Sequence, residues 1–186
     1  MQKITYWVTV FTVITIFTGL VYAAVQQDYR QTANDPQIQM AEDAAAQLSE
    51  GASIKSVIPA AKVDIARSLA PFVAVYDGSG KLLATNATEN GQDISYPAGV
   101  FAYVKLYGED RVTWQTQAGD RSATVVTSFS NKNQSGYVVA GRSLREVEKR
   151  EAKLEQITAL AWLVSILSVL FYGLMFGSGA AGRKHK

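Results

Sequence analysis

The sequence contains no cysteine, and its one histidine, His185, falls in the closing GRKHK. These absences exclude disulfides, thiolate metal sites and a lipid-modified N-terminal cysteine. They also leave no His-based triad and no His-ligated zinc site in the body of the chain. The carboxylates are scattered, and Glu109-Asp110 reads as a turn after Gly108. GSG at 78–80 is a turn rather than a phosphate cradle, because no Lys-Ser/Thr helix start follows it. The expectation is a chain that is not an enzyme and that holds no cofactor and no metal.

Charge is missing from two long stretches, Ile4 to Gln27 and Gln156 to Gly182. Each offers about twenty predominantly apolar residues, what a helix needs to span ~30 Å of hydrocarbon. All 16 Asp/Glu lie between them with 14 of the 18 Lys/Arg, a net of −2, while Lys3, Arg183, Lys184 and Lys186 put +4 on the short ends, which gives the +2 of the chain. Short basic flanks stay in the cytoplasm, and a long segment between them crosses whatever its own charge. Both termini are therefore read as cytoplasmic and residues 26–156 as extracytoplasmic, in a two-pass protein of the cell membrane. The tail GRKHK serves as a topology anchor and carries the charge to touch anionic headgroups. A cleaved signal peptide is the alternative for the first stretch, since Val21-Tyr22-Ala23 has cleavage-site spacing. Its apolar run exceeds the ~7–15 residues of such a peptide, which favours a retained helix. Neither span holds an ionisable residue, which argues against an ion or proton path. The outer segment balances its basic residues with acids, so no nucleic-acid partner is expected.

The outer segment reads as α+β. Asn34-Asp35-Pro36 is a helix start, with Asn34 or Asp35 as cap and Pro36 in the first turn. Ile38, Ala41, Ala45 and Leu48 follow at helical spacing, and Gly51 ends the run. Tyr29–Thr32 continues the first membrane helix outward, and SIKSVI (53–58) and KVDIARSL (62–69) read as short helical pieces parted by Pro59. After Pro71 the period changes. FVAVYD (72–77) has strand length, DGSGK turns, and KLLATN (81–86) is the hairpin partner. Residues 87–96 read as a polar loop. PAGVFAYVKLYG (97–108) is a helical connection with Val100, Val104 and Tyr107 on one face. RVTWQTQ (111–117), SATVVTSFS (122–130) and YVVAG (137–141) then supply three antiparallel strands. Five such strands make one sheet with helices over a face. Asn86-Ala-Thr and Asn133-Gln-Ser have the spacing of glycosylation acceptors.

Taken in order, FVAVYDGSGKLLATN, GVFAYVKLYGEDRVTWQTQAGDRSATVVTSF and GYVVAGRSLREVEKRE resemble the extracytoplasmic PAS-like (Cache or PDC) sensor domain of bacterial two-pass membrane receptors. They are similar in particular to the sensing part of membrane histidine kinases, over residues 28–176 with the anchors included. The resemblance implies a PAS-like five-stranded antiparallel sheet with flanking helices. It implies a small extracellular ligand between the sheet and the helical connection, and a final helix that shifts against the first membrane helix. In that family a kinase follows the second membrane helix, whereas here GSGAAGRKHK follows. The expectation is a sensor that lacks the kinase and signals through a separate membrane partner. The chain then divides into a membrane helix at 1–27, the PAS/Cache-like domain at 28–142, a charged linker helix at 143–156, a second membrane helix at 157–177 and the basic tail at 178–186.

Three sets of residues are candidates for function. Five aromatics crowd the stretch from Tyr96 to Trp114, where small-molecule pockets would draw apolar walls. Tyr96, Tyr103 and Trp114 are the expected ligand contacts, with Arg111 and Arg121 placed to pair with a carboxylate. The competing expectation is that Phe101 and Trp114 fill the core while the arginines are solvated. In the linker, Ser143 and Glu146 have the spacing of a capping box, and Glu146 and Arg150 form an i,i+4 pair in the favourable order. From Leu144 to Tyr172 there is no helix breaker, so the rod could carry movement inward or simply hold the domain off the surface. Val147, Leu154 and Ala161 recur every seven residues, but their companions Glu151, Thr158 and Ser165 are polar for a coiled-coil seam. In the membrane, Thr15, Gly19 and Ala23 are spaced by four, as are Ala161 and Ser165, and Gly173, Gly177 and Ala181. Small residues at that spacing let helix backbones approach, so a packed pair or larger bundle is expected. Besides the bilayer, the expected partners are an integral-membrane protein or a second copy of the chain, and a small-molecule ligand. The second function class is a structural or assembly subunit of a membrane complex that uses a sensor-like fold for docking.

Overall fold

The computed structural model describes residues 2–32, 34–117 and 119–177. The tail GRKHK, with His185, and Ala181 lie outside the described residues. The elements run α1 (Gln2–Thr32), α2 (Asp35–Ser49), α3 (Ile54–Val57), β1 (Val63–Asp64), β2 (Phe72–Asp77), β3 (Leu82–Thr85), β4 (Ala87–Glu89), β5 (Gln92–Asp93), α4 (Ala98–Tyr107), β6 (Glu109–Gln115), β7 (Arg121–Ser130), β8 (Ser135–Ser143) and α5 (Arg145–Gly177). They fall into two compact units: Arg30–Glu148, and the described residues on either side of it.

The unit Arg30–Glu148 is the α+β domain read from the sequence, with a five-stranded antiparallel sheet and flanking helices. Strand order is β3-β2-β8-β7-β6, so the last strand in sequence is the central one. β8 pairs antiparallel with β2 from Phe72↔Gly141 to Asp77↔Gly136, and with β7 from Ser122↔Ser143 to Ser130↔Ser135. Side chains alternate across a strand, so each strand feeds two cores. Phe72, Ala74, Tyr76, Trp114, Val126, Tyr137 and Val139 face one way, under Phe101 and Val104 of α4. Val73, Val75, Val125, Phe129, Val138 and Ala140 face the other way, onto Ala41, Ala44, Ala45 and Leu48 of α2. The continuous apolar run of β2 is explained by this burial on both sides. Gly141 is required by close approach, since a Cβ there would overlap the Phe72 ring.

α2 stops as its sequence dictates. Gly51 takes φ +97°, its amide donates to the Leu48 carbonyl at 3.1 Å, and the Ala52 amide donates to the Gln47 carbonyl at 2.9 Å. This is a Schellman end. The start differs from expectation. Asn34 occupies the cap position in a helical conformation and its side chain makes no cap bond there, while Pro36 sits in the first turn as expected.

Three other readings change. Residues 87–96 are not a loop: β4 and β5 join β1 in a second, three-stranded sheet of order β1-β4-β5. KVDIARSL is not helical, because Val63–Asp64 is β1 and pairs parallel with Ala87–Thr88. Backbone pairing to a segment 24 residues on decides both, and neither hydrophobic period nor turn residues encode it. On α4 the inner face is Phe101 and Val104, and Tyr107 is turned to solvent.

In the second unit, α1 and α5 are each long and apolar enough to cross a membrane. Each keeps one half-buried stripe: Trp7, Val10, Ile14, Thr18 and Tyr22 on α1, and Leu154, Thr158, Trp162, Ile166, Val169 and Gly173 on α5. Most other apolar side chains of these helices are exposed, as lipid-facing residues are.

Candidate ligand face and exit helix

The face of the sheet under α4 is aromatic. Phe101 stacks on Tyr137 with centroids 4.9 Å apart, Tyr76 lies 4.9 Å from Phe101, and Tyr96 lies 5.0 Å from Trp114. Such pairs add about 0.5–1.5 kcal/mol each beyond area burial. The small sheet β1-β4-β5 covers the same face, contributing Val63, Ala87 and the neighbouring Ile65, Ile94 and Tyr96. Its hairpin turns on Asn90 (φ +50°) and Gly91 (φ +82°), the left-handed pair that a tight two-residue turn demands. Asn86, 1% exposed, directs the chain from one sheet to the other. Its Oδ1 accepts from the Val73 amide at 2.8 Å and its Nδ2 donates to the Ala61 carbonyl at 2.9 Å. That burial excludes Asn86 as a glycosylation acceptor in the folded chain. The Thr116 hydroxyl donates to the Glu89 carboxylate and ties β4 to the end of β6.

Three tyrosines lie within this apolar layer, Tyr76, Tyr96 and Tyr137. Thr124 Oγ1 donates to the Val112 carbonyl at 2.8 Å, so the Tyr96 hydroxyl donates to Thr124 Oγ1, 2.5 Å away. Burial pushes the Tyr96 phenol up to about 12. Tyr76 is 2% exposed and its hydroxyl has no partner among the described residues. Burial raises its pKa first and the Tyr96 phenol adds to the rise, so both stay neutral near pH 7. The face thus presents aromatic walls and one uncommitted hydroxyl. Nothing in the sequence marked Tyr76, because the FVAVYD run reads as an ordinary buried strand.

The five residues expected to contact a ligand are divided by the sheet. Tyr96 and Trp114 come together, both 6% exposed, in the aromatic core. Trp114 and Arg111 stand three apart on β6 and so point to opposite faces. Arg111 is exposed and paired with Glu109 at 2.7 Å. Arg121 shares the parity of Val125 on β7, the α2 side, and pairs with Glu148 at 2.8 Å. Tyr103 is 47% exposed on α4 and packs on Tyr107 with centroids 4.4 Å apart. The arginines therefore do not converge with the aromatics.

The exit helix starts directly from the central strand. Ser143 is the last residue of β8, and the Leu144 amide still donates across the sheet to the Arg121 carbonyl at 2.8 Å. The Glu148 amide then donates to the Leu144 carbonyl at 2.9 Å, the first bond of α5. Ser143 Oγ accepts from the Arg145 amide at 3.3 Å, two residues on. The capping box expected of Ser143 and Glu146 is therefore displaced, because strand pairing holds Ser143. Glu146 sits half-buried in the first turn with Glu148, where carboxylates favour the helix dipole, and Arg150 is exposed. Two guanidiniums fasten this root: Arg145 donates to the Arg67 carbonyl at 2.8 Å and Arg142 to the Leu69 carbonyl at 3.1 Å.

Within the unit of α1 and α5 the small residues divide. Gly173 makes the notch for Trp7, whose ring a Cβ would overlap. Thr15 Oγ1 accepts from Trp162 Nε1 at 3.0 Å. Gly19 has open space where a Cβ would stand, and Ala23 and Ala161 are exposed. Ser165 is half-buried and its hydroxyl donates to its own helix at the Ala161 carbonyl, 2.7 Å away. Gly177 is the last residue of α5.

No family model matches the chain, and no curated protein matches it. Among solved structures it is similar to the ligand-binding domain of the Pseudomonas aeruginosa PAO1 amino-acid chemoreceptor PctC in complex with GABA, at 14% identity over 74% of this chain with a TM-score of 0.45. The chain spans 62% of that domain's length. The likeness is loose, and the α+β assignment rests on the sheet and the elements that cover it.

Proposed function

We propose that this protein is a membrane-anchored extracytoplasmic sensory module that binds a small molecule at its aromatic face and passes its state along α5 to a partner in the membrane. The observation that carries this is the seam between β8 and α5. The central strand, bonded on both sides, gives way after the single residue Leu144 to a helix of 33 residues. At 1.5 Å per residue that helix extends roughly 50 Å. In this reading the unbroken helix is what carries a displacement of the sheet toward the apolar end of α5. The basic ends support cytoplasmic termini and an outer domain. The partner is an integral-membrane protein or a second copy of the chain, meeting the exposed faces of α1 and α5.

Recognition falls to Tyr76, Tyr96 and Trp114 in this proposal, with Tyr103, Arg111 and Arg121 outside it. Neutral phenols and aromatic walls suit a ligand with an apolar body and a hydrogen-bond acceptor. The test is a thermal-shift screen of the full chain in detergent against amino acids, amines, carboxylates and neutral aromatics. A binder raises Tm by mass action, and Tyr76→Phe weakens the rise. A screen in which nothing raises Tm, alongside recovery of a stoichiometric partner from native membranes, favours the second proposal of an assembly subunit. Tyr103, Leu106 and Tyr107, all exposed on α4, are the observation that supports docking of that kind.

A further inference from the structure

We propose that Arg142 and Arg145 latch the cover of the aromatic face to the root of α5, so that loosening one loosens the other. The proposal deepens the sensory reading and rests on it for its biological use.

The segment between β1 and β2 is the connecting piece. At its first end it belongs to the cover: the Val63 amide donates to the Asn86 carbonyl at 2.8 Å and the Ile65 amide to the Thr88 carbonyl at 2.9 Å. Val63 and Ile65 are buried against the aromatic core. The turn that follows is stiff. The amides of Arg67 and Ser68 return to the Asp64 carbonyl at 3.1 and 2.8 Å, and the Asp64 carboxylate accepts from the Ala66 amide at 3.2 Å. Residues 63–68 therefore move with β1. At its second end the segment offers the carbonyls of Arg67 and Leu69 to the guanidiniums of Arg145 and Arg142. Arg142 is in the last stretch of β8 and Arg145 is the first residue of α5. A guanidinium on a carbonyl is a charge-assisted bond, stronger than a neutral one.

The two ends differ in strength, which makes the device work. The cover is built from strands of two, three and two residues, whereas β7 and β8 pair over nine positions. Short ladders open at low cost, so the cover is the part of the domain that a ligand or a thermal fluctuation lifts first. It cannot lift with its connecting turn intact unless Arg145 lets go or α5 follows. Arg121 fastens the same first turn of α5 to the main sheet through Glu148, from the α2 side of the sheet, opposite the cover. It is the internal control.

Hydrogen–deuterium exchange on the full chain in lipid nanodiscs tests the latch without any ligand. In Arg145→Gln, peptides spanning 63–69 and 87–94 are expected to exchange about tenfold faster or more, the size of losing one charged hydrogen bond, with 123–127 unchanged. Reciprocally, Asn86→Ala, which frees the cover, speeds exchange at 146–149, as linkage requires. Arg121→Gln speeds 146–149 and leaves the cover unmoved. If Arg145→Gln loosens the whole sheet, seen as fast exchange at 123–127, then Arg145→Lys reports on the same peptides with the fold retained. Unchanged cover exchange in Arg145→Lys and in the double variant Arg142→Gln/Arg145→Gln overturns the latch. A ligand found by thermal shift with a flat response here ends the latch alone. A responding cover with no ligand ends the sensory reading and keeps the latch.

Discussion

The two faces of one sheet are built from different materials. The α2 side is aliphatic: valines of β2, β7 and β8 meet Ala41, Ala44, Ala45 and Leu48, and one 15-residue helix with a well-formed end covers most of it. The α4 side is aromatic, carries three buried tyrosines, and is covered partly by a ten-residue helix and partly by a sheet of two- and three-residue strands. The first arrangement spends all its contacts on stability. The second buries a hydroxyl without a partner, which costs about 1–3 kcal/mol and is tolerated where another contact uses it. The difference shows where the domain is held and where it is free to respond.

The comparison is broken most severely on the aliphatic side. Leu48→Ala leaves a hole that α2 cannot close, and urea unfolding of the α+β unit in the full chain is expected to lose about 3 kcal/mol. Alkaline pH attacks only the aromatic side. The Tyr96 phenol ionises at about 12 when folded against 10.0 for an ordinary tyrosine. The unfolded chain gives up that proton first, so stability is complete below pH 10 and falls as pH rises toward 12, by a sum on the order of 2 kcal/mol. Equilibrium unfolding across that range checks it, and Tyr96→Phe lessens the slope, leaving the part that belongs to Tyr76, whose phenol burial also raises. At neutral pH Tyr96→Phe removes the bond to Thr124 and costs about 1 kcal/mol. Tyr76→Phe removes an unpaired hydroxyl and is expected to leave stability unchanged or slightly raised, read from the same melts. An equal loss at both tyrosines would show Tyr76 to be bonded as Tyr96 is. The smallest effect belongs to the α1–α5 pair. With cysteines replacing Ile14 and Ile166 in this cysteine-free chain, Gly19→Leu leaves the α1–α5 crosslink intact, and Gly173→Leu, which displaces Trp7, reduces it.

Much of this was legible in the residues. FVAVYD, DGSGK and KLLATN spell β2, its turn and β3, because strand period and turn chemistry are local signals. Both long apolar helices were visible for the same reason. The cover sheet was not, since two-residue strands carry no period and Val63 finds Ala87 through the fold. Ser143 was misjudged as a helix cap because its capping spacing is local, while the β7 ladder that holds it is not. Of the candidate ligand residues, the aromatic content of 96–114 did mark the aromatic face. The arginines were grouped with the aromatics because charge in a sequence gives no strand parity, and one residue of register puts them on the other face. Glu151, Thr158 and Ser165 looked too polar to pack, yet each is half-buried on the inner stripe of α5. Trp162 between them and Gly173 beyond supply the contacts to α1.

The chain has three tryptophans, and they divide between the two units: Trp114 in the aromatic core, Trp7 and Trp162 in the α1–α5 pair. Fluorine NMR of the fluorotryptophan-labelled full chain in nanodiscs therefore reads both ends of the mechanism at once. For a compound that raises Tm, transmission along α5 predicts that the Trp114 resonance and at least one of Trp7 and Trp162 shift with the same midpoint. A shift of Trp114 with Trp7 and Trp162 fixed at saturation would contradict it.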